Sequence, residues 1–328
     1  MALNAALSAA YKIAGKDHEK HYVKALLRKS FLDDVRNAIN ACLMPGWKSR
    51  VSAAYVDTHP RATYYDTSGA CHKIELADIL ILRTVYTAPT GQIEKDGRAW
   101  LIQAKRTGDQ FPKAPPVESL QSEQHYFTSN WPDFELALKR KTGHFSISNS
   151  TALEWWGVVW SAVTGKTSPS TYPWSGDHWI ASDTDGNSLK GGASPDYDAM
   201  GNVLSAFIQG DVLLGSDYAL SPLSTGATGG WNELISELIA YCNHGRGDRY
   251  ETSSFMTYAM LYDYYIGRLY KNYMQEYLAS AKYSRSRGLR ERLESDESGM
   301  LVIEVDLVNL GERKMEYKCK YFPGKVLF

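Results

Sequence analysis

The sequence predicts an α/β fold: a mixed central sheet flanked by helices, followed by a helical and loop-rich C-terminal elaboration. Three observations predict it. Asp17 to Met44 repeats apolar residues at helical spacing (Tyr22, Leu26 and Leu27, then Val35, Ile39 and Leu43), with charges between them. Glu75 to Tyr86 is almost continuously apolar through Leu76, Ile79, Leu80, Ile81, Leu82 and Val85, which suits a strand buried on both faces. Arg98 to Arg106 reads as a second strand. The polar, turn-rich stretch Pro89 to Gly97 between the two makes them a hairpin.

The remaining elements follow in order. Pro45-Gly46 stops the first helix, and Val51 to Val56 is a short strand. Pro112, Pro115 and Pro116 break the chain after the hairpin. Val117 to Asn130 is then a helix closed by Trp131-Pro132, and Leu153 to Val163 is an apolar, aromatic strand. Thr164 to Tyr197, rich in Gly, Ser, Pro and Asp, reads as a long loop. Asp198 to Leu213 and Trp231 to Asn243 are helical. Glu251 to Tyr283 is a long Tyr-rich helix, and Met300 to Val308 a late strand. The length, 328 residues, allows a core over 1–163 and an elaboration over 164–328 packed on it.

Charge and cysteine usage narrow the setting. Lys plus Arg is 36 against 37 for Asp plus Glu, so no global positive field points to nucleic acid. The charge is nonetheless uneven. Lys12 to Arg50 holds nine basic residues against four acidic, and Asp177 to Asp217 holds seven Asp against one Lys. Lys282, Arg285, Arg287, Arg290 and Arg292 fall within eleven residues, a segment able to grip a phosphate backbone or simply form a solvated surface. Cys42, Cys71, Cys242 and Cys319 lie far apart, as suits reduced thiols in the cytoplasm. No apolar run reaches a membrane span, and Met1 to Ala10 lacks the basic start of a secretory signal.

The chemistry concentrates in the hairpin. Asp78 lies in the first apolar strand, and Gln103 and Lys105 in the second. Buried ionic groups are costly unless paired or bound to a cation. Gln103 and Lys105 are two apart and share one strand face, within reach of Asp78 on the neighbouring strand. A carboxylate, an amide oxygen and a backbone carbonyl make a hard-oxygen set suited to Mg2+. A lysine beside it can act on a water or phosphate. The competing account is a buried Asp78–Lys105 ion pair with no chemistry.

Asp78, a hairpin, then Gln103-x-Lys105 resembles the PD-(D/E)xK nucleases, the restriction-endonuclease-like superfamily. More narrowly it resembles the branch in which Gln replaces the second acidic residue. The likeness spans roughly Asp17 to Trp131, about a third of the chain. CysHisLysIleGluLeuAlaAspIleLeu is similar to the lead-in of the first strand. GlnSerGluGlnHisTyrPhe resembles the helix after the motif, where Gln121 and Gln124 are candidates to face the site. Ala77 stands where the family has Pro, and Gln103 removes one carboxylate.

The resemblance implies a restriction-endonuclease-like sheet and Mg2+-dependent cleavage of nucleic acid, with DNA favoured and Mn2+ as an alternative ion. It assigns metal ligation to Asp78, Gln103 and the Ala104 carbonyl. Glu19, on the preceding helix, completes the site, and Lys105 acts on the attacking water. The basic run from Lys282 to Arg292 is the candidate nucleic-acid grip. A free-standing nuclease of this kind suggests targeting by a partner protein, as in bacterial antiviral defence, where similar nucleases accompany prokaryotic Argonautes. A homo-oligomer is expected, with Met300 to Val308 and the Tyr-rich helix as contact surfaces. The alternatives are a degenerate nucleic-acid-binding scaffold on the same fold, or a nuclease acting on RNA.

Three further patterns fail their own requirements. His18 and His21 lack the i, i+4 spacing of a zinc helix. Gly165-Lys166-Thr167 is preceded by Trp160 where a phosphate loop needs its first Gly. Asp183, Asp185 and Asn187 are followed by Ser188 and Ser194, not the Gly and Glu of a calcium loop.

Overall fold

The structure is a computed structural model. It describes residues 2–14, 19–57, 60–87, 94–107, 120–138, 141–147, 158–164, 179–182, 198–210, 214–219, 226–244, 248–250 and 299–309. The Tyr-rich segment and the basic run from Lys282 to Arg292 lie outside the described residues.

The chain begins with three helices, α1 (Ala2–Ala14), α2 (Glu19–Ala25) and α3 (Lys29–Asn40). Strands β1 (Lys48–Asp57), β2 (Arg61–Tyr65), β3 (Cys71–Glu75), β4 (Ile79–Thr87) and β5 (Glu94–Thr107) follow, then α4 (Leu120–Asn130). Next come β6 (Phe134–Leu138), β7 (Lys141–Phe145), β8 (Val158–Thr164), β9 (Trp179–Ser182) and β10 (Asp198–Ala199). The rest is α5 (Met200–Gln209), β11 (Ser216–Asp217), β12 (Thr228–Gly229), α6 (Trp231–His244), β13 (Asp248–Tyr250) and β14 (Gly299–Asn309).

The strands form two mixed sheets rather than one. The nine-stranded sheet runs β10-β9-β8-β5-β4-β14-β1-β13, with β11 added beside β5, and the five-stranded sheet runs β12-β7-β6-β2-β3. Alternation along β4 and β5 sorts their side chains between two cores. Ile79, Ile81, Trp100, Ile102 and Ala104 pack with α1, α2, α3 and α5 on one side. Leu80, Leu82, Ala99 and Leu101 pack with the second sheet, α4 and α6 on the other.

Several sequence expectations change here. The helix read over Asp17 to Met44 is two helices. The chain tightens at Leu26, Leu27 and Arg28, whose N–H groups bond to Val23, Lys24 and Ala25 three residues back. The break lets one apolar stripe cover both β5 and β1, which are separated by β4 and β14. The apolar run from Glu75 is not one strand either. Its start belongs to β3 in the second sheet, and the chain bends through Leu76 to Asp78 before joining the large sheet as β4. Glu75 is thereby paired with Arg61 in the second sheet.

Trp179–Ser182, expected in a loop, is a strand beside β8. Asp198, expected in a helix, pairs with Ala181 before α5 begins. Met300 to Val308 is a strand but not an exposed contact surface. β14 lies mid-sheet, parallel to β4 and antiparallel to β1, and Met300, Leu301, Val302, Ile303, Val305 and Leu307 are buried. The large sheet thus draws strands from both 1–163 and 164–328.

Candidate active site

The β4–β5 ladder pairs Leu80 with Leu101 and Ile79 with Ile102. Asp78 and Gln103 therefore stand opposite each other one rung further on. There the two strands part company: β4 turns off toward β3, while β5 continues to Thr107. Asp78 keeps its backbone in register. Its N–H donates to the Ile102 carbonyl at 3.1 Å, and its carbonyl accepts the Leu301 N–H at 2.7 Å.

Beyond that rung the Asp78 side chain takes over the role of a strand neighbour. Oδ2 accepts the backbone N–H of Ala104 at 2.8 Å and the Nε2 amide of Gln103. Asp78 is 7 % exposed and Gln103 fully buried. The amide of Gln103 is only half used, because its Oε1 has no hydrogen-bond partner among the described residues. A buried amide oxygen left unpaired is costly. Here it lies beside a carboxylate, at the end of a sheet ladder. Both oxygen types are hard ligands, so the pair fits a divalent cation such as Mg2+. The fit is partial, since no group of three or more His, Cys, Asp or Glu able to hold a metal occurs among the described residues.

The other predicted residues fall as follows. The backbone of Lys105 is in β5, two residues beyond Gln103 and level with Ala162 of β8. Glu19 opens α2. That helix packs against the face of β5 formed by Trp100, Ile102 and Ala104, the layer opposite Gln103. The structure thus gathers Asp78, Gln103, Ala104 and the backbone of Lys105, and puts the Glu19 helix on the other side of the sheet. Lys282, Arg285, Arg287, Arg290 and Arg292 lie outside the described residues.

A second polar group lies between the β2–β3 hairpin and α4. Of the α4 candidates, the side chain of Gln121 lies outside the described residues, and Gln124 neighbours Glu123. His72 on β3 bonds through Nδ1 to Glu123 at 3.1 Å and through Nε2 to Asp66 at 2.8 Å. Asp66 also accepts the Ser68 hydroxyl at 2.6 Å and the N–H groups of Ser68 and Ala70. These bonds hold the Asp66 carboxyl far below the usual carboxylate range, the Ser68 hydroxyl contributing most and His72 next. Asp66, and then Glu123, raise the His72 imidazole above its ordinary value.

Tyr64 stacks on His72 with ring centroids 5.1 Å apart and donates its hydroxyl to the Glu123 carbonyl. Burial, then the Glu123 charge, pushes its phenol up to about 12. This assembly ties α4 to the β2–β3 hairpin, whose continuation delivers Asp78. The legible signal was alternation in β3, which puts His72 on the face of buried Ile74.

No family model, curated protein or solved structure matches this chain. No helix among the described residues is long and apolar enough to cross a membrane.

Proposed function

We propose that this chain is a Mg2+-dependent nuclease that hydrolyses phosphodiester bonds, with DNA as the favoured substrate. The unpaired Gln103 amide oxygen beside the Asp78 carboxylate, where β4 leaves the sheet, carries the reading. Asp78, Gln103 and the Ala104 carbonyl would hold the ion. When bound, Mg2+ supplies Lewis-acid polarisation of a phosphoryl oxygen and a more acidic water. Lys105 follows on the same strand and offers positive charge where negative charge develops on the phosphate. Water adds to phosphorus as the bond to the 3′ oxygen breaks, leaving a 5′-phosphate. Glu19 is assigned a completing role by the family resemblance alone. The same resemblance suggests an antiviral defence effector that acts as a homo-oligomer with a targeting partner.

One observation favours a second reading, a nucleic-acid-binding scaffold. Both bonds to Asp78 Oδ2 serve the protein itself, as a strand-end device would. Digestion of plasmid, single-stranded DNA and RNA with Mg2+, with Mn2+ and with EDTA separates the readings. Cleavage of DNA only with metal is expected. Lys105→Ala should lower the rate by at least ~100-fold with an unchanged melting temperature. Folded protein that cuts none of the three substrates in either metal leaves the scaffold reading in place. Selective cutting of RNA transfers the assignment to a ribonuclease.

A further inference from the structure

The face of the sheet away from Asp78 holds a cavity of about 300 Å³ between α1, α3, α5, β4 and β14. It is a cleft open to solvent and not a sealed void, so a guest can enter it from the surface. Its walls are mainly apolar, with Leu3, Ile39, Leu43, Val85, Ile208 and Leu307 among them. Its polar groups cluster at the last turn of α5. Ser205 and Gln209 line the cavity one turn apart, and Gln209 donates to the Ser205 hydroxyl at 3.1 Å.

Arg83 completes this cluster. Alternation along β4 puts it on the same face as Ile79 and Ile81, an apolar layer that is an unusual place for a guanidinium. Its Nε donates to the Ile208 carbonyl at 2.8 Å. Its Nη1 meets only Asp96, at 3.4 Å, and Asp96 is 65 % exposed. A pair so distant and so wet neutralises the cation weakly. Nη2 donates to no protein group among the described residues and is not sealed from water. Burial pulls the guanidinium below its ordinary value, while the Asp96 and Asp217 carboxylates act the other way.

The mouth of the cavity is apolar as well. Met44, which lines it, is 69 % exposed, and Trp47 beside it is half-buried. Between them Gly46 turns the chain at φ 86°. A large thioether side chain held in water at the lip of an apolar cavity is suited to fold over an apolar guest.

We propose that this cavity is a binding site for an amphipathic monoanion, an acyl carboxylate whose chain lies among the apolar walls and whose head meets Arg83 and Ser205. The volume is at the lower end for ligand pockets, so it selects a short acyl chain over a nucleotide or sterol. The carboxylate would replace water at Nη2 with a bond between charged groups.

The test is calorimetric titration of the full-length protein with decanoate, decanol and butyrate, alongside thermal denaturation. Decanoate should bind saturably at one site and raise the melting temperature. Decanol, which lacks the charge, and butyrate, which lacks the chain, should each bind about tenfold more weakly or worse. Because Arg83 also holds the end of α5, Arg83→Met is paired with Ala38→Phe, which fills the cavity from α3 and leaves Arg83 in place. Ala38→Phe should abolish decanoate binding in a protein that melts cooperatively. No saturable binding by folded wild type, equal binding of decanol, or unaltered binding in Ala38→Phe would each overturn the assignment.

Discussion

The Asp78 carboxylate accepts the Ala104 N–H at 2.8 Å, at the level where β4 has no further backbone to offer β5. One side chain thus terminates a ladder and, in the proposed function, holds a cation. Asp78→Asn separates the two duties. An Asn oxygen can still accept from Ala104 and Gln103, though bonds to a neutral acceptor are weaker, so stability should fall by only about 1 kcal/mol. Cleavage and Mg2+-dependent stabilisation should disappear. Asp78→Ala strands both donors and should cost about 1–3 kcal/mol more. Chemical denaturation of the two variants, with and without Mg2+, measures this. Retained cleavage in folded Asp78→Asn would remove Asp78 from the metal.

Gln103→Glu tests the unpaired amide oxygen. The substitution removes the Nε2 donor to Asp78 and puts two buried carboxylates together. Without metal, one of them must take up a proton, so the variant should be less stable than wild type at neutral pH and recover as the pH falls. Mg2+ should stabilise it more than it stabilises wild type, and cleavage should persist at lower Mg2+. Equal Mg2+ responses in the two proteins would show that the Gln103 oxygen is not a ligand.

His72 should make stability depend on pH through the tie between the β2–β3 hairpin and α4. Its folded pKa is raised, so its contribution is complete below the unfolded value of about 6.5 and is lost as pH rises through the folded value. The Asp66 pKa is lowered, so its contribution is present above about pH 3.9 and is lost as pH falls through the folded value. The tie is therefore strongest between about pH 4 and 6.5. Melting temperatures of wild type and His72→Gln across this range and above should converge as the pH rises past the folded His72 value. A constant gap would mean that the imidazole does not titrate with the fold.

The basic run makes a separate prediction about substrate grip. Changing Arg285, Arg287 and Arg290 together to Ala should weaken DNA binding and flatten its salt dependence by up to about three ion equivalents. The rate at saturating DNA should stay near that of wild type. If these arginines instead pair with the acidic stretch Asp177 to Asp217, stability falls and the salt slope holds. Asp217 of that stretch is already engaged by Arg98 at 3.3 Å.

Local chemistry made much of this legible in advance. Apolar runs and chain-breaking residues marked the β4–β5 hairpin, the late strand and the helix ending at Asn130, because burial and turn chemistry each leave a signature in adjacent residues. The same logic brought Asp78 within reach of Gln103, since alternation along paired strands is a property of the backbone. Tertiary structure decided what depends on distant partners. The run from Glu75 to Tyr86 looks like one strand, yet its two ends add to different sheets, and the bend between them sets Asp78 at the end of the ladder. Met300 to Val308 reads equally as an edge or a centre strand; the pairing of β14 with both β4 and β1, far away in sequence, put it in the middle. The Glu123–His72–Asp66 chain joins a helix to a hairpin about fifty residues earlier. No local pattern encodes such a meeting, because long-range contacts are fixed by how the layers close over one another and not by the repeat within any one segment.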